Sequence, residues 1–137
     1  MPFRHARTIH FADTDAAGVV FFANYLAICH EAYEEALAAV GIELNAFFAD
    51  ASVIVPIAKS EAEYLRPLKT GEKVRVAVNP TLLTENSFEI RFEIIKDGPP
   101  EKIAARIRTK HVCLDAKSRQ RIALPKSLAA WVAAGGR

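Results

Sequence analysis

Two aspartates, Asp13 and Asp15, stand just ahead of Gly18 and of a run, Val19-Val20-Phe21-Phe22-Ala23-Asn24-Tyr25, that leads into helical periodicity. A helix N-terminus offers unpaired N–H groups and a positive partial charge. An acyl oxygen held there is polarised, and a nearby carboxylate can attack the acyl carbon or deprotonate a water. Thioester hydrolysis suits this pair of features, because the thiolate leaves readily and no triad is required. The same residues also suit a plainer role, since aspartate is favoured in turns and at helix caps. By residue type alone both readings stand.

The other reactive side chains carry less. His30-Glu31-Ala32-Tyr33-Glu34 has Glu34 where a zinc-protease helix needs its second histidine. Cys29, His30, His111 and Cys113 match no standard zinc spacing, so no metal site is expected. Cys29 lies on an apolar stripe and reads as core, and Cys113 has no base near it in sequence. Arg106, Arg108 and Lys110 alternate, which puts three cations on one strand face. That face is either a solvated sheet surface or a mouth for phosphates; Lys59 and Arg66 are weaker candidates for the same role.

These residues need elements to position them. Residues 3–11 alternate as a strand, and Asp13 to Gly18 interrupt them with turn formers. From Asn24 the period changes: Leu26, Cys29, Tyr33, Ala36, Leu37 and Val40 recur at helical spacing, with Asn24 as cap and Gly41 as terminator. Val53 to Ile57 is a short apolar run, and residues 60–65 lead to a strand end at Arg66-Pro67. Three long strands follow, each with one apolar face: Val74, Val76 and Val78; Phe88 to Ile94; Ile103 to Ile107. Lys96 to Glu101 reads as a hairpin loop, and Pro125 to Val132 as a short helical turn. The order is strand, long helix, then four or five antiparallel strands. This is an α+β pattern in which the helix covers the apolar face of the sheet.

A chain of 137 residues suits a single domain, 1–137, able to bury a core without staples. The formal net charge of +2, with no aromatic interleaving of the basic residues, argues against a nucleic-acid surface. The first residues lack the apolar stretch of a secretory leader, no apolar run is long enough to span a bilayer, and two cysteines make no disulfide framework. A cytoplasmic location without membrane insertion is the expectation.

The segment Asp13-Thr14-Asp15-Ala16-Ala17-Gly18-Val19-Val20-Phe21-Phe22-Ala23-Asn24-Tyr25-Leu26 resembles the signature of hotdog-fold acyl-CoA thioesterases of the 4-hydroxybenzoyl-CoA thioesterase type. Ala62 to Leu68, followed by Gly71-Glu72, is similar to the strand-to-turn segment of that family. The resemblance covers about residues 3–124. It implies an antiparallel sheet wrapped around one long central helix, and an acyl-CoA substrate with no cofactor. It makes Asp15 the catalytic carboxylate, as nucleophile or general base, and the backbone N–H of Phe22 the donor to the acyl oxygen. Gly18 then lets the backbone pass close to substrate, Phe21 and Tyr25 contact the acyl group, and Asp13 holds the loop. Active sites in this family lie between subunits, which implies a homo-oligomer, expected as a dimer of dimers.

Cys29-His30-Glu31-Ala32-Tyr33-Glu34 and His111-Val112-Cys113 are further similar to the 1,4-dihydroxy-2-naphthoyl-CoA hydrolases of phylloquinone synthesis. This implies an aromatic acyl group, with Arg106, Arg108 and Lys110 as candidates for the coenzyme A phosphates. Phe22 and His30 depart from the branch acting on short acyl groups, which carries His and Glu there. Hydrolysis of another aryl or short acyl-CoA, a dehydratase or isomerase, and a non-catalytic acyl-thioester-binding protein stay open. The absence of histidine from Asp13–Tyr25 counts against the dehydratase or isomerase.

Overall fold

The computed structural model describes all residues, 1–137. The chain runs β1 (Phe3–Thr8), a 3₁₀ turn (Phe11–Asp13), α1 (Asn24–Ala39), α2 (Leu44–Phe48), β2 (Val53–Ile54), β3 (Ile57–Tyr64), β4 (Lys73–Thr84), β5 (Ser87–Lys96), β6 (Lys102–Val112), β7 (Leu114–Asp115) and α3 (Lys126–Ala133). Alternation makes the sheet. Val74, Val76 and Val78 of β4, Phe88, Ile90, Phe92 and Ile94 of β5, and Ala105 and Ile107 of β6 all point inward and are buried. The five strands are antiparallel in the order β1-β4-β5-β6-β3, and β2 pairs separately with β7.

Helix α1 lies on the inner face of this sheet and supplies Tyr25, Ile28, Cys29, Ala32, Tyr33, Ala36 and Leu37 to a common hydrophobic cluster. Ala32 and Ala36 let the helix approach the strands closely, and the large side chains fill the space on either side. Fully burying a side chain such as Leu37 contributes about 1.5–3 kcal/mol. This is the hotdog arrangement that the resemblance implies.

Four local expectations differ. β1 ends at Thr8 and not at residue 11, because His10 and Asp13 close the 3₁₀ turn through a backbone-to-carboxylate bond of 2.8 Å. Leu26 and Val40 are exposed, and Ile28 and Tyr25 take their places in the stripe. Asn24 is the first helical residue rather than the cap; its side-chain amide reaches back 2.9 Å to the Asp13 carbonyl. The tail is a true helix, and its Leu128, Trp131 and Val132 complete the core. Helix α2, capped by Glu43, was not expected from the sequence.

Candidate active site

Asp15 sits on a tight loop between the 3₁₀ turn and α1. Thr14 bridges Val20, the Asp15 N–H donates to Val19 O, and the Gly18 N–H donates to Asp15 O, both at 3.0 Å. Gly18 has φ +82°, a left-handed conformation that costs glycine little, and this permits the hairpin. One oxygen of Asp15, Oδ1, accepts the Ala17 N–H at 2.8 Å and fixes the rotamer. The carboxylate stays exposed and opens into a cleft lined by Val19, Phe21, Phe22, Tyr25, Tyr64 and Arg66.

The loop is anchored from behind by Asp13. Its carboxylate accepts both Arg7 amines, at 2.8 and 3.1 Å, and the His10 N–H at 2.8 Å. The Arg7 guanidinium holds the Asp13 carboxyl below its usual range, and Asp13 raises Arg7 in turn. Arg7 Nε continues 2.9 Å to Glu31 of α1, and His5 Nε2 meets the same oxygen at 3.1 Å. The Asp13 carbonyl accepts Phe21 N–H and the Asn24 amide, at 3.0 and 2.9 Å. Strand, loop and helix start are thus tied at one residue.

At the helix start, Phe21 N–H and Asn24 N–H are engaged, whereas Phe22 N–H and Ala23 N–H have no acceptor within the protein, and Phe22 is the one that lines the Asp15 cleft. A free amide at the positive end of a helix, beside an exposed carboxylate, can bind an acyl oxygen. The aromatic residues divide between two roles. Phe21 and Phe22 are 41% and 63% exposed, while Tyr25 is 4% exposed. Tyr25 meets Tyr64 of β3 edge-on at 4.9 Å, and the Tyr64 hydroxyl donates to Phe22 O at 3.3 Å. Phe21 and Phe22 therefore face outward at the cleft, and Tyr25 forms its floor.

The three cations of β6 stand elsewhere, on the outer face of the sheet. Arg106 pairs with Glu63 and Glu93, at 3.4 and 3.6 Å. Arg108 pairs with Glu61 and Glu89, at 2.8 and 3.6 Å. Lys110, on the same face, makes no ion pair. The cation that lines the Asp15 cleft is Arg66, a weaker candidate by sequence. Arg66 donates 2.6 Å to the Ile103 carbonyl at the start of β6. From sequence alone Arg7, Glu31 and Tyr64 have no role at the site, because periodicity does not show that Arg7 folds back onto Asp13 and Glu31 or that β3 closes against the helix start.

Cys29 and Cys113 are buried, and burial raises both thiols, so neither supplies a thiolate. No three His, Cys, Asp or Glu side chains converge as metal ligands. No helix is long and apolar enough to cross a membrane.

Residues 9–132 match the model of the thioesterase-like superfamily. A 1,4-dihydroxy-2-naphthoyl-CoA hydrolase of Crocosphaera subtropica is 43% identical over 126 residues, 92% of this chain and 92% of its own. One of Thermosynechococcus vestitus is 44% identical, over 93% of this chain and 86% of its own. The crystal structure of a 1,4-dihydroxy-2-naphthoyl-CoA thioesterase from Synechocystis superposes with a TM-score of 0.91 at 28% identity, covering 97% of this chain and 96% of that one. A free amide, an exposed carboxylate and an aromatic cleft at the start of a sheet-wrapped helix agree with these likenesses: the chain belongs to the thioesterase-like superfamily, with the hotdog fold.

Proposed function

We propose that this protein is an acyl-CoA thioesterase that hydrolyses 1,4-dihydroxy-2-naphthoyl-CoA to 1,4-dihydroxy-2-naphthoate and coenzyme A, the step used in phylloquinone and menaquinone biosynthesis. The observation that carries the reading is the exposed Asp15 carboxylate beside the unengaged Phe22 N–H. The carbonyl oxygen accepts from Phe22 N–H, and the acyl carbon faces Asp15. The carboxylate either attacks that carbon, giving an anhydride that water then opens, or takes a proton from the water that attacks. On both routes the C–S bond breaks, its electron pair leaves on the coenzyme A sulfur, and one water is consumed. Phe21, Phe22 and Tyr25 give a flat acyl group apolar faces to stack on. The whole chain, 1–137, acts as one domain.

The test is a comparison of naphthoyl, benzoyl, phenylacetyl, acetyl and palmitoyl thioesters, read as kcat/KM, because discrimination is differential binding of the transition state. The bicyclic aryl thioester is expected to lead. Faster turnover of acetyl- or palmitoyl-CoA than of every aromatic thioester would reject the substrate assignment and leave thioester hydrolysis standing.

The coenzyme A phosphates fall to Lys110 on the outer face and to Arg66 at the cleft. Arg106 and Arg108 take part by exchanging a glutamate for phosphate. Ala at a true contact raises KM and leaves kcat nearly unchanged, since ground-state and transition-state binding are lost together. A residue whose replacement leaves KM untouched belongs to the solvated sheet surface. The larger effect is expected at Lys110 and Arg66, which have no carboxylate partner to release.

The active assembly is a homo-oligomer, a dimer of dimers, in the cytoplasm. Strand β3 supports this: all eight residues are exposed, and β6 pairs with only one of its edges. An edge of this length with Phe21, Phe22, Tyr64 and Leu65 exposed nearby is a surface that a second copy covers.

A further inference from the structure

A second cavity, of about 90 Å³, opens on the seam between α1 and β3. The same seam holds the Asp15 cleft. On α1, Tyr25 lines the cleft and Leu26 the cavity; on β3, Tyr64 lines the cleft and Ser60 the cavity. From Tyr25 to His30, which also lines the cavity, the helix advances only about 7.5 Å. That is the scale of a bicyclic ring system.

Leu26, Tyr33, Ile57 and Phe92 give the cavity its apolar surface, and His30, Ser60, Thr109 and His111 its polar groups. His111 is 2% exposed and stacks on Phe88 with ring centroids 4.6 Å apart. Its Nε2 shares a 2.8 Å hydrogen bond with Thr109 Oγ1, but its buried Nδ1 has no partner. An unmet buried polar atom is costly, and natural cores rarely keep one without a reason. Burial, and then the nearby His30, lower the His111 pKa to about 4, so the ring is neutral at physiological pH. A neutral imidazole cannot compensate a charged group. It can exchange a hydrogen bond with a hydroxyl, which both donates and accepts. The small volume suits the edge of a ring and excludes a long acyl chain.

We propose that this cavity receives the far edge of the aryl acyl group, and that His111 Nδ1 hydrogen-bonds a ring hydroxyl remote from the carbonyl; the assignment rests on the aryl thioesterase reading. His111 is then a specificity-determining residue that selects hydroxylated over unsubstituted aryl groups of similar size.

The experiment measures binding of two free acids, 1,4-dihydroxy-2-naphthoate kept reduced and 2-naphthoate, by calorimetry. The proteins are the wild type, His111→Asn, His111→Gln and His111→Phe. Asn retains a polar atom near the Nδ1 position, Gln retains one near Nε2, and Phe retains neither. The wild type is expected to prefer the hydroxylated acid by about tenfold to hundredfold, the range of one buried hydrogen bond. The preference survives in Asn and disappears in Gln and Phe. On the wild type itself, the hydroxylated acid shifts the ¹⁵N resonance of His111 Nδ1 and 2-naphthoate does not, a readout independent of how the variants fold. Equal binding of the two acids, failure of both to bind, or a preference that persists in Gln and Phe overturns the proposal. Thiol release from aryl-CoA is assayed separately. Its absence would sink the thioesterase reading while the binding preference still reports on His111.

Discussion

Asp15→Asn is expected to abolish nearly all thioester hydrolysis while leaving the fold intact. Asparagine keeps the size of the side chain, and its Oδ1 still accepts the Ala17 N–H that orients Asp15 at 2.8 Å. Only the negative charge is lost, and with it the capacity to attack an acyl carbon or accept a proton from water. Removing a positioned group of this kind costs about 10²–10⁴ in rate. The side chain is exposed, so the melting temperature should barely move. Thiol release with a saturating aryl-CoA, set beside a thermal melt of the same sample, checks both halves. Hydrolysis within a few-fold of wild type would remove Asp15 from the mechanism.

Asp13→Asn should do the reverse, destabilising the protein more than it slows the chemical step. The side chains of Arg7 and Asp13 are only 13% and 15% exposed, and the pair also holds Glu31 of α1. Breaking such a pair leaves a largely buried guanidinium without its main partner, a loss of about 2–4 kcal/mol after allowing for remaining solvent access. The effect depends on pH in a defined direction. Because Arg7 lowers the Asp13 pKa in the folded state, the stabilisation is fully present above the unfolded value of about 4 and fades as pH falls through the lower folded value. Urea unfolding at neutral pH should separate wild type from variant, and the gap should narrow in acid below about pH 4. A collapse of kcat at unchanged stability would mean that Asp13, and not Asp15, is the reacting carboxylate.

The two aspartates are alike in type and two positions apart, yet the structure gives them opposite surroundings. Asp13 is turned inward, onto a cation from another strand. Asp15 is turned outward, with only a backbone amide two residues on for company. The N–H of Phe22 is left free for a related reason. The Phe21 and Asn24 amides are consumed in fastening the loop to the helix start, which holds the two intervening amides, Phe22 and Ala23, in place without occupying them. Rigidity at the site thus comes from the hydrogen bonds of Arg7, Asp13, Phe21 and Asn24, which leave the Asp15 carboxylate exposed and the Phe22 N–H unoccupied.

Much of this protein is determined locally and could be read from the chain alone. Apolar residues at helical spacing specify α1, since 3.6 residues per turn brings Cys29, Tyr33, Ala36 and Leu37 to one side. Alternation specifies β4, β5 and β6, since successive side chains in a strand point to opposite faces. The resemblance of Asp13 to Leu26 to a thioesterase signature is carried by the residues themselves, and it implies the hotdog fold that the chain adopts. Other features had no local signature. β3 is exposed along its whole length and carries no period that marks a buried face, so its extent depends on register with β6. That register sets Glu61 and Glu63 opposite Arg108 and Arg106, which turns three apparently free cations into two engaged ones and Lys110. Arg7 reaches Glu31, Arg66 reaches the cleft, and His111 is sealed against Phe88 with one nitrogen unmet, all through contacts between elements distant in sequence. Periodicity is a property of the backbone within one element and is therefore visible in the residues themselves. Which charges meet, and which polar atom stays unpaired, depends on how the elements pack, and only the tertiary structure decides that.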